Sequence, residues 1–91
     1  MVNEMIHPRT REEARRIGVE VRPSSRADKK LDVFKQGRKV ASIGAKGYLD
    51  YASYLELKGK EYADERRRLY YARHGTSLPG TAGWYAAKLL W

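Results

Sequence analysis

The chain has no cysteine, so no disulfide, thiolate metal site or thiol nucleophile can be built from its 91 residues. It has one phenylalanine and three prolines, and no apolar run long enough for a transmembrane helix or a signal-peptide core. A secreted or membrane-bound protein is therefore not expected, and an intracellular or virion-internal location is the default. Acidic side chains are also scarce: 11 Asp and Glu stand against 19 Lys and Arg, for a net charge of +8. Split by thirds, the excess is spread along the chain and is not a tail. It favours a polyanionic partner: nucleic acid, anionic lipid or an acidic protein face. The length allows one small core and excludes the two-lobed folds that hold a substrate beside a nucleotide cofactor.

Organisation follows from punctuation and periodicity. Thr10-Arg11-Glu12-Glu13 fits a capping box opening a short helix over 11–17 that Gly18 ends. With Ile17 as its only sizeable apolar side chain, that helix is marginal alone. Residues 23–30 combine a proline with mixed charge and read as a linker. The expectation is a basic N-terminal arm over 1–30, dispensable for folding, and a compact domain over 31–91. From Leu31 the period becomes two, with Gln36-Gly37 as the turn of a β-hairpin. Gly44-Ala45-Lys46-Gly47 reads as the loop ending its second strand. Asp50 caps a helix carrying Tyr51, Tyr54 and Leu55, which Gly59 ends or kinks. A second helix runs over about 61–73, closed by His74-Gly75. Thr81 caps a last helix with Trp84, Ala87, Lys88 and Trp91 on one stripe, where the tryptophans read as core anchors. The expected fold is α+β, a β-hairpin packed by two or three short helices in one small domain.

Arg66-Arg67-Arg68, with Arg73 and His74 at the end of the same helix, is the strongest functional candidate. Consecutive helical residues are about 100° apart, so the three arginines fan around the helix and cannot share one solvated face. Two of them with Arg73 could form a guanidinium comb for phosphates. The competing reading pairs them with Asp64 and Glu65 in weak surface ion pairs. Lys46, between two glycines, lacks the longer loop and the following Ser or Thr of a nucleotide-binding P-loop, but with Arg38 and Lys39 it could touch a phosphate backbone. Six of the seven tyrosines fall between Tyr48 and Tyr71, interleaved with basic residues. They could stack on unpaired bases. At helical spacing, Tyr51, Tyr54, Tyr62 and Tyr70 read as core, and Tyr48 and Tyr71 as the exposed candidates. His7 and His74 are far apart and the carboxylates are spaced as caps and surface pairs, so no metal site, cofactor or catalytic couple is expected and the protein reads as a non-enzyme.

Ile43-Gly44-Ala45-Lys46-Gly47-Tyr48-Leu49-Asp50-Tyr51, then Arg67-Arg68-Leu69-Tyr70-Tyr71-Ala72-Arg73-His74, then Thr81-Ala82-Gly83-Trp84 and the terminal Leu89-Leu90-Trp91 resemble a family of small basic proteins encoded by large DNA viruses and phages. The resemblance spans roughly residues 33–91, with a longer segment between Asp50 and Arg67 than the family has. The family has no assigned activity, so the resemblance implies a viral origin and a compact fold more than a function. It implies that Arg68, Tyr70 or Tyr71, Arg73 and His74 matter, either as a binding site or as a fold-defining cluster. The function expected is sequence-independent binding of a nucleic-acid backbone, DNA before RNA, in packaging or a virion-associated role. The alternative is a minor virion structural or adaptor protein that binds an acidic protein surface, including an inhibitor of a host enzyme. No zinc module or recognition-helix pattern offers base-specific readout.

Overall fold

The structure, a computed structural model, describes residues 6–91. Its elements run α1 (Pro8–Ile17), β1 (Glu20–Pro23), β2 (Lys29–Lys35), β3 (Arg38–Ala45), α2 (Tyr51–Lys58), α3 (Lys60–His74) and α4 (Ala82–Leu90). The hairpin is closed by Gln36 and Gly37, both at positive φ (53° and 81°), as a two-residue turn matched to strand twist requires. β2 pairs antiparallel with β3, from Lys35 opposite Arg38 to Lys29 opposite Ala45. β1 pairs antiparallel with the other edge of β2, Glu20 opposite Phe34 and Pro23 opposite Leu31, giving the order β1-β2-β3.

One face of this sheet carries the core. Val21, Leu31, Val33 and Ile43 meet Ala14 of α1 and Tyr85, Leu89 and Leu90 of α4, with Ile6 joining them. Two helices, α1 and α4, thus cover the sheet, and the buried Thr10 hydroxyl ties them by donating to the Leu89 carbonyl at 3.1 Å. The fold is α+β, with the expected hairpin widened by a third strand and four helices around it.

The division at residue 30 is corrected by this packing. α1 and β1 belong to the domain: Ala14 and Val21 are core residues, and β1 takes up the hydrogen bonds along one edge of β2. Counting large apolar side chains undervalued a helix that buries only Thr10 and Ala14. Small residues let α1 lie close against α4, where a bulkier face would not fit. The expectation for residues 1–5 lies outside the described residues. The capping box is also corrected. His7 is the N-cap, its Nδ1 accepting from the Arg9 amide at 3.0 Å, with Pro8 at the first helical position, where its missing N–H costs nothing. Residues 23–30 are not a free linker either, since Pro23 is in β1 and Ser24 and Ser25 grip a buried carboxylate described below. Strand β3 runs through Gly44 and Ala45 before the chain turns at Lys46-Gly47.

Asp50 and Thr81 cap α2 and α4 through their side chains, accepting from the Ser53 and Trp84 amides. Gly59, at φ 93°, ends α2 and starts α3 in the same residue. α2 and α3 pack on each other through Tyr51, Ala52 and Ala63, outside the main core. In α4 the buried residues are Tyr85, Leu89 and Leu90, with Trp84 and Trp91 half-buried beside them. The tryptophan stripe is therefore shifted by one residue from the face that meets the sheet. Of the tyrosines assigned to the core, Tyr51 is buried and Tyr54 and Tyr70 are half-buried, while Tyr62 is exposed and leans on Tyr54 with ring centroids 5.6 Å apart.

Candidate functional site

A groove of about 310 Å³ opens where the α2–α3 pair meets the end of β3 and the C-terminus of α4. One wall is a three-ring stack. Tyr70 lies between Trp91, 4.7 Å away and 11° from parallel, and His74, 4.3 Å away at 28°. Tyr54 leans on Trp91 at 6.2 Å, and Tyr48, 72% exposed, lines the groove from the loop after β3. Burial, and then the neighbouring Tyr71 phenol, push the Tyr70 phenol up, so it stays neutral through the physiological range.

Four basic side chains line the same groove: Lys30, Arg66, Arg73 and His74. Lys30 is 3.5 Å from Asp50, whose other oxygen accepts from the Ser53 amide and hydroxyl. Arg66 lies over the Tyr54 ring at 5.4 Å. Among the described residues, no carboxylate lies within ion-pair distance of Arg66 or Arg73. Arg66, Tyr70, Arg73 and His74 come from α3 at i, i+4, i+7 and i+8, the spacing of one helix face.

The structure thus splits the arginine triplet three ways. Arg66 faces the groove. Arg67 lies 4.0 Å over the Tyr51 ring and 3.5 Å from Asp64, a carboxylate that also accepts from the Tyr51 hydroxyl at 2.6 Å and Lys60 at 2.7 Å. Those bonds, first from Lys60 and then from Tyr51, hold the Asp64 carboxyl below its ordinary range. Arg68 is bound by Glu65 through two hydrogen bonds on the outer surface, at 3.1 and 2.5 Å. The ion-pair reading fits Arg67 and Arg68, and the free-cation reading fits Arg66 and Arg73.

The other candidates scatter. Arg38 and Lys39 sit at the hairpin turn, six residues along β3 from Gly44 at the groove, which is about 20 Å of strand. Lys39 reaches back to Asp32 at 3.7 Å. Lys46 is exposed and lines a neighbouring cavity of about 220 Å³ with His7, Thr10 and Lys30. Tyr71 is 39% exposed, but its hydroxyl donates to the Ala87 carbonyl at 3.2 Å and ties α3 to α4. Of the candidates Arg38, Lys39, Lys46, Tyr48, Arg66, Arg67, Arg68, Tyr71, Arg73 and His74, the groove brings together Tyr48, Arg66, Arg73 and His74. Tyr54, Tyr70, Trp91 and Lys30, not singled out as binding residues, complete the groove. The i, i+4, i+7, i+8 face of α3 was the available signal for Tyr70. Nothing in the sequence brings Lys30 there.

A second polar centre lies in the sheet. Asp32, 4% exposed, accepts from the Ser24 hydroxyl at 2.6 Å, the Ser42 hydroxyl at 2.7 Å and the Ser25 amide at 3.2 Å, with Lys39 beyond. Burial acts to raise its pKa, but the two serine hydroxyls, the amide and the Lys39 charge outweigh it and hold the carboxyl at about 2. These donors lock the β1–β2 connection to the hairpin.

No protein-family model matches the chain, and comparison with curated proteins and with solved structures gives no match. The viral resemblance rests on its motifs alone. No helix among the described residues is long and apolar enough to cross a membrane.

Proposed function

We propose that the protein is a non-enzymatic nucleic-acid-binding module that holds the phosphate backbone without regard to sequence, DNA before RNA, in an intracellular or virion-internal setting. One observation carries this reading: Arg66 and Arg73 converge on an aromatic-walled groove with no carboxylate in reach of either among the described residues. Uncompensated guanidiniums present forked donors at the spacing of phosphate oxygens, and a wet, aromatic wall suits a nucleic acid better than a purely apolar ligand. Asp50, the carboxylate side chain that lines the groove, is taken up by Ser53 and Lys30. The adaptor reading puts an acidic protein face on the same cations.

Binding should weaken with salt through counterion release, by about 0.9 in log affinity per log salt for each phosphate neutralised on duplex DNA and about 0.7 on a single strand. Two or three contacts give a slope between roughly -1.5 and -3. Arg66→Ala and Arg73→Ala should each make it shallower by about one unit, while Arg38→Ala, at the far end of the hairpin, should leave it unchanged. Titration of labelled oligonucleotides across a salt series checks this. Equal slopes for all four proteins would move the assignment to the acidic-protein partner.

A further inference from the structure

Nucleic acids offer two different surfaces to such a groove, the charged backbone of a duplex and the flat face of a base that has left its stack. We infer that the groove takes an unpaired base of a single strand, stacked against its aromatic wall, with the adjoining phosphates on Arg66 and Arg73. This rests on the nucleic-acid reading above and narrows it from backbone contact to strand type.

The size of the groove is the first argument. At about 310 Å³ it stands at the small end of the range for ligand pockets, room for one base and not for a paired stack. In a duplex both faces of every base are already covered, so a recessed ring wall gains nothing from it. The second argument is the arrangement of the rings. Tyr70 is covered on both sides by Trp91 and His74, so the stack offers its ends and not its middle to an incoming ring. His74 is exposed, and Tyr48 lines the groove with most of its surface free. A large aromatic left this exposed is a poor contributor to a core and a good platform for a base, since every base has a π face. The third argument is the order of the groups along α3. Arg66 and Arg73 lie two turns apart, about 10 Å, on either side of Tyr70, so a base against the stack has a cation toward each flanking phosphate. The same wall carries no free side-chain array for a base edge, which makes the contact tolerant of sequence.

The test uses the full chain and three probes of equal length: an oligothymidine strand, an abasic strand with the same number of phosphates, and a duplex. The oligothymidine is expected to bind about 5- to 150-fold more tightly than the abasic strand, the range for stacking one base on an aromatic side chain. Tyr48→Ala and His74→Ala, both at exposed positions, should each reduce that ratio, whereas Arg66→Ala should weaken binding of both strands and leave the ratio unchanged. Equal affinity for base-bearing and abasic strands would overturn this inference and leave backbone binding standing. So would tighter binding to the duplex. Failure of all three probes, together with capture of an acidic peptide such as polyglutamate, would overturn the nucleic-acid reading itself.

Discussion

The two halves of the molecule are held together by different physics. The sheet with α1 and α4 is closed by hydrocarbon: Val33 and Leu89 have no exposed surface, and the one buried carboxylate has a donor on every side. The α2–α3 pair is closed by rings and cations. Its 15-residue helix α3 buries only Ala63, and Tyr51 has both Arg9, at 4.6 Å, and Arg67, at 4.0 Å, over its ring. The contrast teaches that the positive charge of this chain is not one quantity. In the α2–α3 pair some guanidiniums, such as Arg67, are structural parts, and others, such as Arg66 and Arg73, are left unpaired at the seam between the halves.

The most drastic way to break the comparison is to remove residues 1–26. That deletes Ile6, Ala14 and Val21 from the core and uncovers an edge of β2. Each buried aliphatic is worth on the order of 1–3 kcal/mol against a total stability of about 5–15 kcal/mol for a small domain, so cooperative melting by circular dichroism should disappear. Persistence of the transition would restore the dispensable arm. Next in size is Asp32→Ala, which leaves Ser24, Ser25 and Ser42 without their acceptor. It should cost about 1–3 kcal/mol in urea unfolding. The carboxyl sits at about 2 in the fold against an ordinary 3.8. Its contribution is therefore complete above pH 4 and is lost as pH falls through about 2, and Asp32→Ala should flatten the acid limb of the stability curve.

On the α2–α3 side the effects are smaller. Arg67→Ala removes the cation over Tyr51 and one partner of Asp64, and should cost about 1 kcal/mol, within the range of half-buried cation–π contacts. The smallest effect belongs to the double variant Arg66→Ala with Arg73→Ala. Neither side chain has an acidic partner among the described residues and Arg66 has the Tyr54 ring beneath it, so stability should fall by about 0.5 kcal/mol, the low end for a cation–π contact, while nucleic-acid affinity falls. A large loss of stability would make Arg66 and Arg73 structural and erase the distinction between the halves.

The elements themselves were legible because their signals are local. Gln36-Gly37 specifies a tight turn, Asp50 and Thr81 specify caps, and Gly59 interrupts the helices wherever the rest of the chain lies. What could not be read depends on distant partners. Thr10 looked like a cap because its role as a donor to Leu89 exists only once α4 lies beside α1. Ser24 and Ser25 looked like a linker because the carboxylate they hold is seven or eight residues away in another strand. In the candidate site, the sequence singled out the cations as a group but could not sort them, since Glu65 pairing with Arg68 and Tyr51 lying under Arg67 are facts of packing. Tyr62, at the same spacing as its neighbours, is exposed because α3 presents so little of itself to any core.

The bond from Thr10 to Leu89 spans 79 residues, which bears on the route by which the chain reaches this structure. Closing so long a loop costs chain entropy that grows only with the logarithm of its length, yet the cost falls due before any of the burial at Leu89 is gained. The two-residue turn between β2 and β3 closes a short loop, so its contacts cost little chain entropy to form. Loop-closure entropy therefore favours an order in which the hairpin forms early and the seam between α1 and α4 shuts late. The same order read backward makes that seam the first to open, and in native-state hydrogen exchange the amides of α1 should exchange through smaller openings than those of β2.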